Sequence, residues 1–152
     1  MTTRIEIFTE GAMELPFEGI GADLMERVVN DACRALSLRK VAITLIVTDN
    51  AAIRSVNRAF RKKNAPTDVI SFAYRENPFP AVKMKYEHLG DVYLSLEQAK
   101  KQAGEYGHSL ADEVKRLLVH GVLHLAGYDH ERSAEDEAVM RAKEEEILLK
   151  IR

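Results

Sequence analysis

The longest strongly apolar run of the chain reads VAITLIV and lies at residues 41–47. Nearly all of its side chains are apolar and most are β-branched, which favours an extended backbone. A continuous apolar run of this kind is typical of a strand that is buried on both faces. We therefore predict that residues 41–47 form the central strand of a sheet, with the rest of the chain arranged around it.

Strand and helix patterns alternate on both sides of this segment. Shorter β-like runs at residues 4–8, 68–74 and 90–94 predict three further strands. An amphipathic pattern predicts a helix over residues 23–36, and Thr48 and Asp49 are candidate caps for a second helix. The first part of the chain therefore has the order strand, helix, strand, helix, strand, strand.

Three more helices are predicted after the last strand. Ser95, Ser109 and Ser133 are each followed three residues later by Gln or Asp, which resembles a capping box. Gly127 is placed to end the second of these helices. The pattern predicts one domain over residues 1–152, of the α+β (α/β-like) class, with a mixed sheet of about four strands and helices packed on it.

The composition indicates a globular protein of a reducing compartment. With 152 residues, of which 46% are hydrophobic, the chain can bury a substantial core. The single Cys33 cannot form a disulfide within the chain. The first ten residues lack the apolar core of a signal peptide, and no apolar run approaches the ~20 residues of a membrane helix. We expect a cytoplasmic protein that has no membrane partner.

The segment at residues 120–130 reads HGVLHLAGYDH. On a helix, His120 and His124 are neighbours on one face, and Gly127 permits a reversal that brings His130 back toward them. Three imidazoles at one point predict a metal site on a helix in the C-terminal half. One zinc ion per chain is expected, although other divalent metals also suit imidazole ligands. A fourth position open to water or substrate is typical of catalytic zinc sites.

The same histidine spacing occurs in metzincin proteases, which place a general-base Glu directly after the first His. This chain has Gly121 there, so we disfavour a peptidase unless a distant carboxylate such as Glu87 or Asp91 reaches the metal. Asp129 is either an acceptor for a ligating imidazole or a turn residue. Glu113 is expected to form a salt link on the surface.

Residues 50–67 contain no acid but carry five basic side chains, those of Arg54, Arg58, Arg61, Lys62 and Lys63. The three arginines follow helical spacing, opposite an apolar face of Ile53, Val56 and Phe60. A solvated helix face is the default explanation of such a run. Beside an open metal site, however, the arginines suit a phosphodiester, because guanidinium groups bind phosphate and a metal polarises a phosphoryl oxygen.

Residues 120–130 also resemble the H-G-x-L-H-L-x-G-Y-D-H signature of the YbeY family of bacterial rRNA maturation endoribonucleases. The segments VNRAFR (56–61), PTDVISF (66–72) and LGDV (89–92) are similar to further family segments, and residues 138–145 resemble its C-terminal helix. The chain departs from the family pattern at Phe60, where a Tyr is usual. It also departs at residues 64–65, where Asn-Ala replaces the common Asp-Lys.

The resemblance implies a metal-dependent, single-strand-specific endoribonuclease. Such an enzyme acts in 3′-end maturation of small-subunit (16S) rRNA and in ribosome quality control, with rRNA, the small ribosomal subunit and its proteins as partners. The resemblance also implies zinc at the three motif histidines and an important role for Arg61. Our leading hypothesis gives catalytic roles to Arg61 and His120, while Arg54, Arg58, Lys62 and Lys63 guide the single-stranded RNA.

A second hypothesis is a non-catalytic ribosome assembly factor. In that case the zinc is structural, and the basic helix docks on rRNA or on a ribosomal protein. Even for an enzyme, the residues leave open the general base and the nucleophile, which is either water or the 2′-hydroxyl of the RNA. They also leave open the metal, the RNA sequence preference and the oligomeric state.

Overall fold

The computed structural model describes residues 3–76, 85–128 and 133–151. Within these ranges the elements follow the predicted order: β1 (Thr3–Thr9), α1 (Ala22–Ala35), β2 (Val41–Thr48), α2 (Asn50–Arg61), β3 (Val69–Ala73), β4 (Glu87–Ser95), α3 (Leu96–Tyr106), α4 (Leu110–Leu125) and α5 (Ala134–Lys150). A short 3₁₀ turn follows β3. The α+β class predicted from the sequence is confirmed.

The strands form one mixed sheet in the order β1-β2-β4-β3. β2 pairs in parallel with β1 on one side and with β4 on the other, so the predicted central strand is confirmed. β3 follows β2 in the sequence but pairs antiparallel with β4, and it forms one edge of the sheet. The last strand therefore enters the sheet between two earlier ones.

The main core lies between the sheet and the helices α1, α4 and α5. Ile43, Leu45 and Val47 point into it from alternate positions of β2, as the period of a strand requires. α4 contacts α1, α3 and α5 as well as β3 and β4. A helix surrounded in this way has to be apolar on most of its circumference, and the buried residues of α4 do occupy most of it. Packing from several sides therefore sets the position of α4.

α4 comes closest to the sheet at Gly121. A Cβ at this position would lie 3.0 Å from Cγ1 of Val92 in β4 and 3.4 Å from Oγ of Ser71 in β3. The first distance is shorter than an ordinary contact between carbon atoms. A larger side chain here would push the helix off the sheet.

Gly90 permits a bulge in β4 beside the same helix. Ala42 pairs with His88 and Ile43 with Gly90, so that one residue of β4 is left over at this point. Gly90 has a φ of +150°, and a Cβ there would overlap the carbonyl oxygen of Phe72. Only glycine fits this position.

The predicted helix starts are confirmed by side-chain caps. The side-chain oxygens of Asp49, Ser95, Ser109 and Ser133 each accept a hydrogen bond from the backbone N–H three residues later. Gly127, with a φ of +105°, follows the last turn of α4 as predicted. In the described part of the chain, no helix has both the length and the apolar character that crossing a membrane requires.

Candidate functional site

His120 and His124 lie one turn apart on α4 and turn their rings toward each other. Their Nε2 atoms are 3.2 Å apart, and the ring planes meet at 73°. In a tetrahedral zinc site with Zn–N bonds of about 2.0–2.1 Å, two nitrogen ligands are about 3.3 Å apart. The two histidines therefore fit two corners of such a site.

His130 and Asp129 lie outside the described residues, so the third ligand and its possible partner remain predictions. Over residues 3–76, 85–128 and 133–151, no three His, Cys, Asp or Glu side chains are grouped so that they could hold a metal ion. The predicted site therefore depends on His130 joining the pair on α4.

Glu144, from the neighbouring helix α5, contacts the far side of the His120 ring. Its Oε2 lies 3.2 Å from Nδ1 of His120, and its side chain is only 13% exposed. An ionised carboxylate can only accept, so this contact favours the His120 tautomer that donates through Nδ1–H and carries its lone pair on Nε2. This tautomer is the one that a metal ligand bonded through Nε2 requires. No local sequence pattern indicates this role for Glu144, because it lies 24 residues from His120 in a different helix.

An ion network, partly exposed at Arg116 and buried at Glu113, continues from Glu144 along α4. Arg116 places Nη1 3.8 Å from Oε1 of Glu144 and donates two hydrogen bonds, of 3.0 and 2.8 Å, to Glu113. Glu113 also contacts Gln102 at 2.8 Å and His108 at 3.2 Å. The network joins α3, α4 and α5 and ends at the ring of His120.

The salt link predicted for Glu113 is present, with Arg116 as the partner, but its predicted place on the surface is wrong, because the Glu113 side chain is completely buried. The helix α3 and the loop before α4 cover it, which the sequence pattern did not reveal. Burial acts to raise the pKa of Glu113, but the hydrogen bonds from Arg116, Gln102 and His108 outweigh burial and hold the pKa below its usual value.

The structure also bears on the peptidase hypothesis. Gly121, which stands where the protease has its general base, packs against the sheet, so a Glu there would not reach the site without displacing the helix. The two distant carboxylates have other partners. Glu87 accepts two hydrogen bonds from Arg75, at 2.7 and 2.8 Å, and Asp91 accepts one from the Tyr74 hydroxyl at 2.7 Å. These contacts disfavour a peptidase.

The basic residues of α2 and of the loop after it are all exposed: Arg54, Arg58, Arg61, Lys62 and Lys63. Arg54 donates to the side chain of Asn64 at 2.8 Å, and Lys62 ends the helix in a left-handed conformation with a φ of 60°. The apolar face predicted for this helix is buried only in part. Ile53 is fully buried, whereas Phe60 is 68% exposed and rests on Phe72 of β3.

The edge strand β3 connects the basic helix with the histidine helix. Phe72 contacts Phe60 of α2, and the preceding Ser71 lies against Gly121 of α4. Successive residues of a strand point to opposite faces of the sheet, so the basic helix α2 lies on one face of β3 and the histidine helix α4 on the other. Ser71 Oγ is buried and has no hydrogen-bond partner among the described residues. No sequence pattern indicated that this hydroxyl lies against the histidine helix.

The chain is similar over most of its length to proteins of one family. The sequence model of the family described as endoribonuclease YbeY matches residues 18–152. A relative named endoribonuclease YbeY from Aquifex aeolicus is 45% identical over 129 residues, which is 85% of this chain and 83% of the relative. Another of that name, from Geobacillus thermodenitrificans, is 41% identical over 153 residues, which is 97% of this chain and 96% of the relative.

A solved structure shares the fold. The solution structure of a Thermotoga maritima protein matches with a TM-score of 0.62 at 24% sequence identity, over 97% of this chain and 88% of that chain. At this identity the match supports the fold and no more.

Glu113→Gln tests the buried carboxylate of the ion network. Because the folded-state pKa of Glu113 is depressed, its stabilising effect is complete above the usual value of 4.5 and is lost as the pH falls through the lower folded-state value. We expect the substitution to lower the free energy of unfolding by about 2 kcal/mol near neutral pH, because charge-assisted hydrogen bonds are lost. The deficit should shrink below pH 4.5, because Gln imitates the protonated acid. Urea unfolding followed by circular dichroism at several pH values measures the loss of unfolding free energy and its dependence on pH.

The control for this experiment is Glu105→Gln, at an exposed position of α3. It should change the free energy of unfolding by less than about 0.5 kcal/mol. A deficit for Glu113→Gln that stays constant with pH would contradict the assigned ionisation.

Proposed function

Since the chain belongs to the endoribonuclease YbeY family, we propose that it is a zinc-dependent endoribonuclease that cleaves single-stranded RNA. It acts in the cytoplasm, in 3′-end maturation of 16S rRNA and in ribosome quality control, together with the small ribosomal subunit. The observation that carries this proposal is the pair of imidazole Nε2 atoms 3.2 Å apart on α4. The exposed, acid-free basic segment at residues 50–67 supports a phosphodiester as the substrate.

In this proposal His120, His124 and His130 hold the metal. When bound, the ion supplies Lewis-acid activation of the phosphodiester and lowers the pKa of a water molecule. Three imidazoles also suit nickel and other divalent ions. Glu144 keeps His120 in the tautomer and the orientation that binding through Nε2 requires. Arg116 and Glu113 in turn hold Glu144 in place.

Arg61 binds the scissile phosphate and offsets the negative charge that develops on it. A guanidinium can donate two parallel hydrogen bonds to phosphate oxygens, and removing a charge-stabilising donor is costly in rate. The other basic residues of the segment lie along the same surface and bind the RNA backbone on either side: Arg54, Arg58, Lys62 and Lys63.

The substitution His124→Ala tests the metal site directly. It removes one of the converging nitrogens, so we expect the zinc content to fall from about one ion per chain to near zero and RNA cleavage to be lost. Elemental analysis and a single-stranded RNA cleavage assay measure the two effects. The matched control is His88→Ala, because His88 lies on β4 and contacts Thr44; it should keep both metal and activity. Normal cleavage by His124→Ala would place the activity elsewhere.

The substitution Glu144→Gln tests the support of His120. Because it removes the negative charge beside the Nδ1–H, we expect zinc affinity to fall by about ten-fold, measured by competition with a chelator. Glu145→Gln, at the adjacent exposed position, should leave the affinity unchanged. Equal effects of the two substitutions would refute the specific role of Glu144.

A non-catalytic ribosome assembly factor is the alternative, and the exposed basic segment suits it as well. The substitution Arg61→Ala distinguishes the enzyme from the assembly factor. For an enzyme, kcat should fall by about 100-fold, while zinc content and Tm stay near those of the wild type because the side chain is exposed at the end of α2. The control is Arg34→Ala, which changes a 79% exposed side chain on α1 and should leave kcat, zinc content and Tm unchanged. For an assembly factor, the purified wild-type protein has no cleavage to lose.

A further inference from the structure

Phe60, on the last turn of α2, exposes 68% of its side chain. A single exposed apolar side chain is common on protein surfaces and by itself indicates nothing. Phe60 differs in how its ring is supported. It meets Phe72 edge to face at a centroid distance of 5.2 Å, and Phe72 meets Tyr93 in the same manner at 5.8 Å. A row of rings therefore supports Phe60 from one side, while most of its surface is open to solvent.

The charge along this aromatic row is one-sided. Phe60 lies inside the acid-free segment, with basic neighbours at Arg58, Arg61, Lys62 and Lys63. At the other end, Tyr93 lies near the carboxylates of Glu10 and Asp91, which together with burial raise its pKa. A polyanion is therefore attracted to the Phe60 end and repelled from the Tyr93 end.

Phe60 and the histidine helix lie on opposite faces of the same edge strand, β3. Phe72, on which it rests, follows Ser71, and Ser71 lies against Gly121, the residue after His120. Because β3 is the edge strand, no further strand lies between Phe60 and solvent on that side. A nucleic acid strand held at Phe60 therefore reaches the candidate site by passing round this edge strand.

We infer that Phe60 stacks on a base of the single-stranded substrate while its basic neighbours bind the phosphates. This inference rests on the proposed function and adds the contact made to the base. Every base has a π-face, so stacking tolerates any sequence. It nevertheless requires an unpaired base, because the bases of a double helix stack on each other. Phe60 thereby contributes to a preference for single strands without reading sequence.

Binding of a strand that the protein does not cut tests the inference without depending on catalysis. The probe is a fluorescent 2′-O-methyl oligouridylate of about 12 nucleotides, shown by gel to remain intact. Phe60→Leu keeps an apolar side chain over Phe72 but removes the ring, so we expect its Kd to rise by at least about five-fold. Phe60→Tyr keeps the ring and should bind as the wild type does. Fluorescence anisotropy measures each Kd.

An abasic strand of the same length and charge separates stacking from a structural effect. It offers phosphates but no bases, so wild type and Phe60→Leu should bind it equally. If Phe60 merely shaped the basic segment, the substitution would weaken binding of both strands to the same extent.

Phe8→Leu is the matched control. Phe8 is 52% exposed on β1 but lies between Glu6 and Glu10, where a polyanion is disfavoured, so its substitution should not change the Kd. Unchanged binding of the base-bearing strand by Phe60→Leu would overturn the inference, as would equal losses for both strands. A wild-type protein that shows the stacking effect but never cuts RNA would refute the proposed activity alone.

Discussion

The contact of α4 with the sheet at Gly121 sets the position of the candidate site. The helix comes so close that a Cβ would lie 3.0 Å from Val92, and it is packed on its other sides by three helices. His120 and His124 occupy the part of its circumference that the packing leaves partly open. Because cores are packed nearly as densely as crystals, such a helix has little freedom to rotate, and the two imidazoles keep their convergence without support from a loop.

The same contact explains why a histidine spacing shared with a protease family supports a different chemistry here. The position of the protease base is used for packing, so a side chain as long as Glu would displace the helix or the sheet. A carboxylate reaches His120 from the opposite side, through Nδ1, where it can orient the ring but is turned away from Nε2. Glu144 therefore suits the role of supporting the His120 ring.

Buried charge is the second feature that joins the helices. Glu113 and Arg116 lie on α4 itself, while Gln102 comes from α3 and Glu144 from α5. A buried carboxylate is tolerated only when its hydrogen bonds are complete, and Glu113 has three partners. A shift of α3 would take Gln102 away from the buried Glu113 carboxylate, and a shift of α5 would break the contact of Glu144 with Arg116, so the network penalises movement of either helix relative to α4. The orientation of His120 thus depends on the packing of three helices.

Local sequence patterns were enough to predict the features that lie within one helix or strand or between close neighbours along the chain. A β-branched run marked the central strand, Asp49 and three serines marked helix starts, and the four-residue spacing of His120 and His124 placed both rings on one face. These signals are local, because a cap or a helical period involves only a few consecutive residues. Packing between elements sets three other features: Glu113 is buried, Glu144 contacts His120, and Phe60 is exposed while it rests on Phe72. Each of these depends on a contact between elements that are separate in the sequence, and no periodicity in a single chain encodes which surfaces will meet.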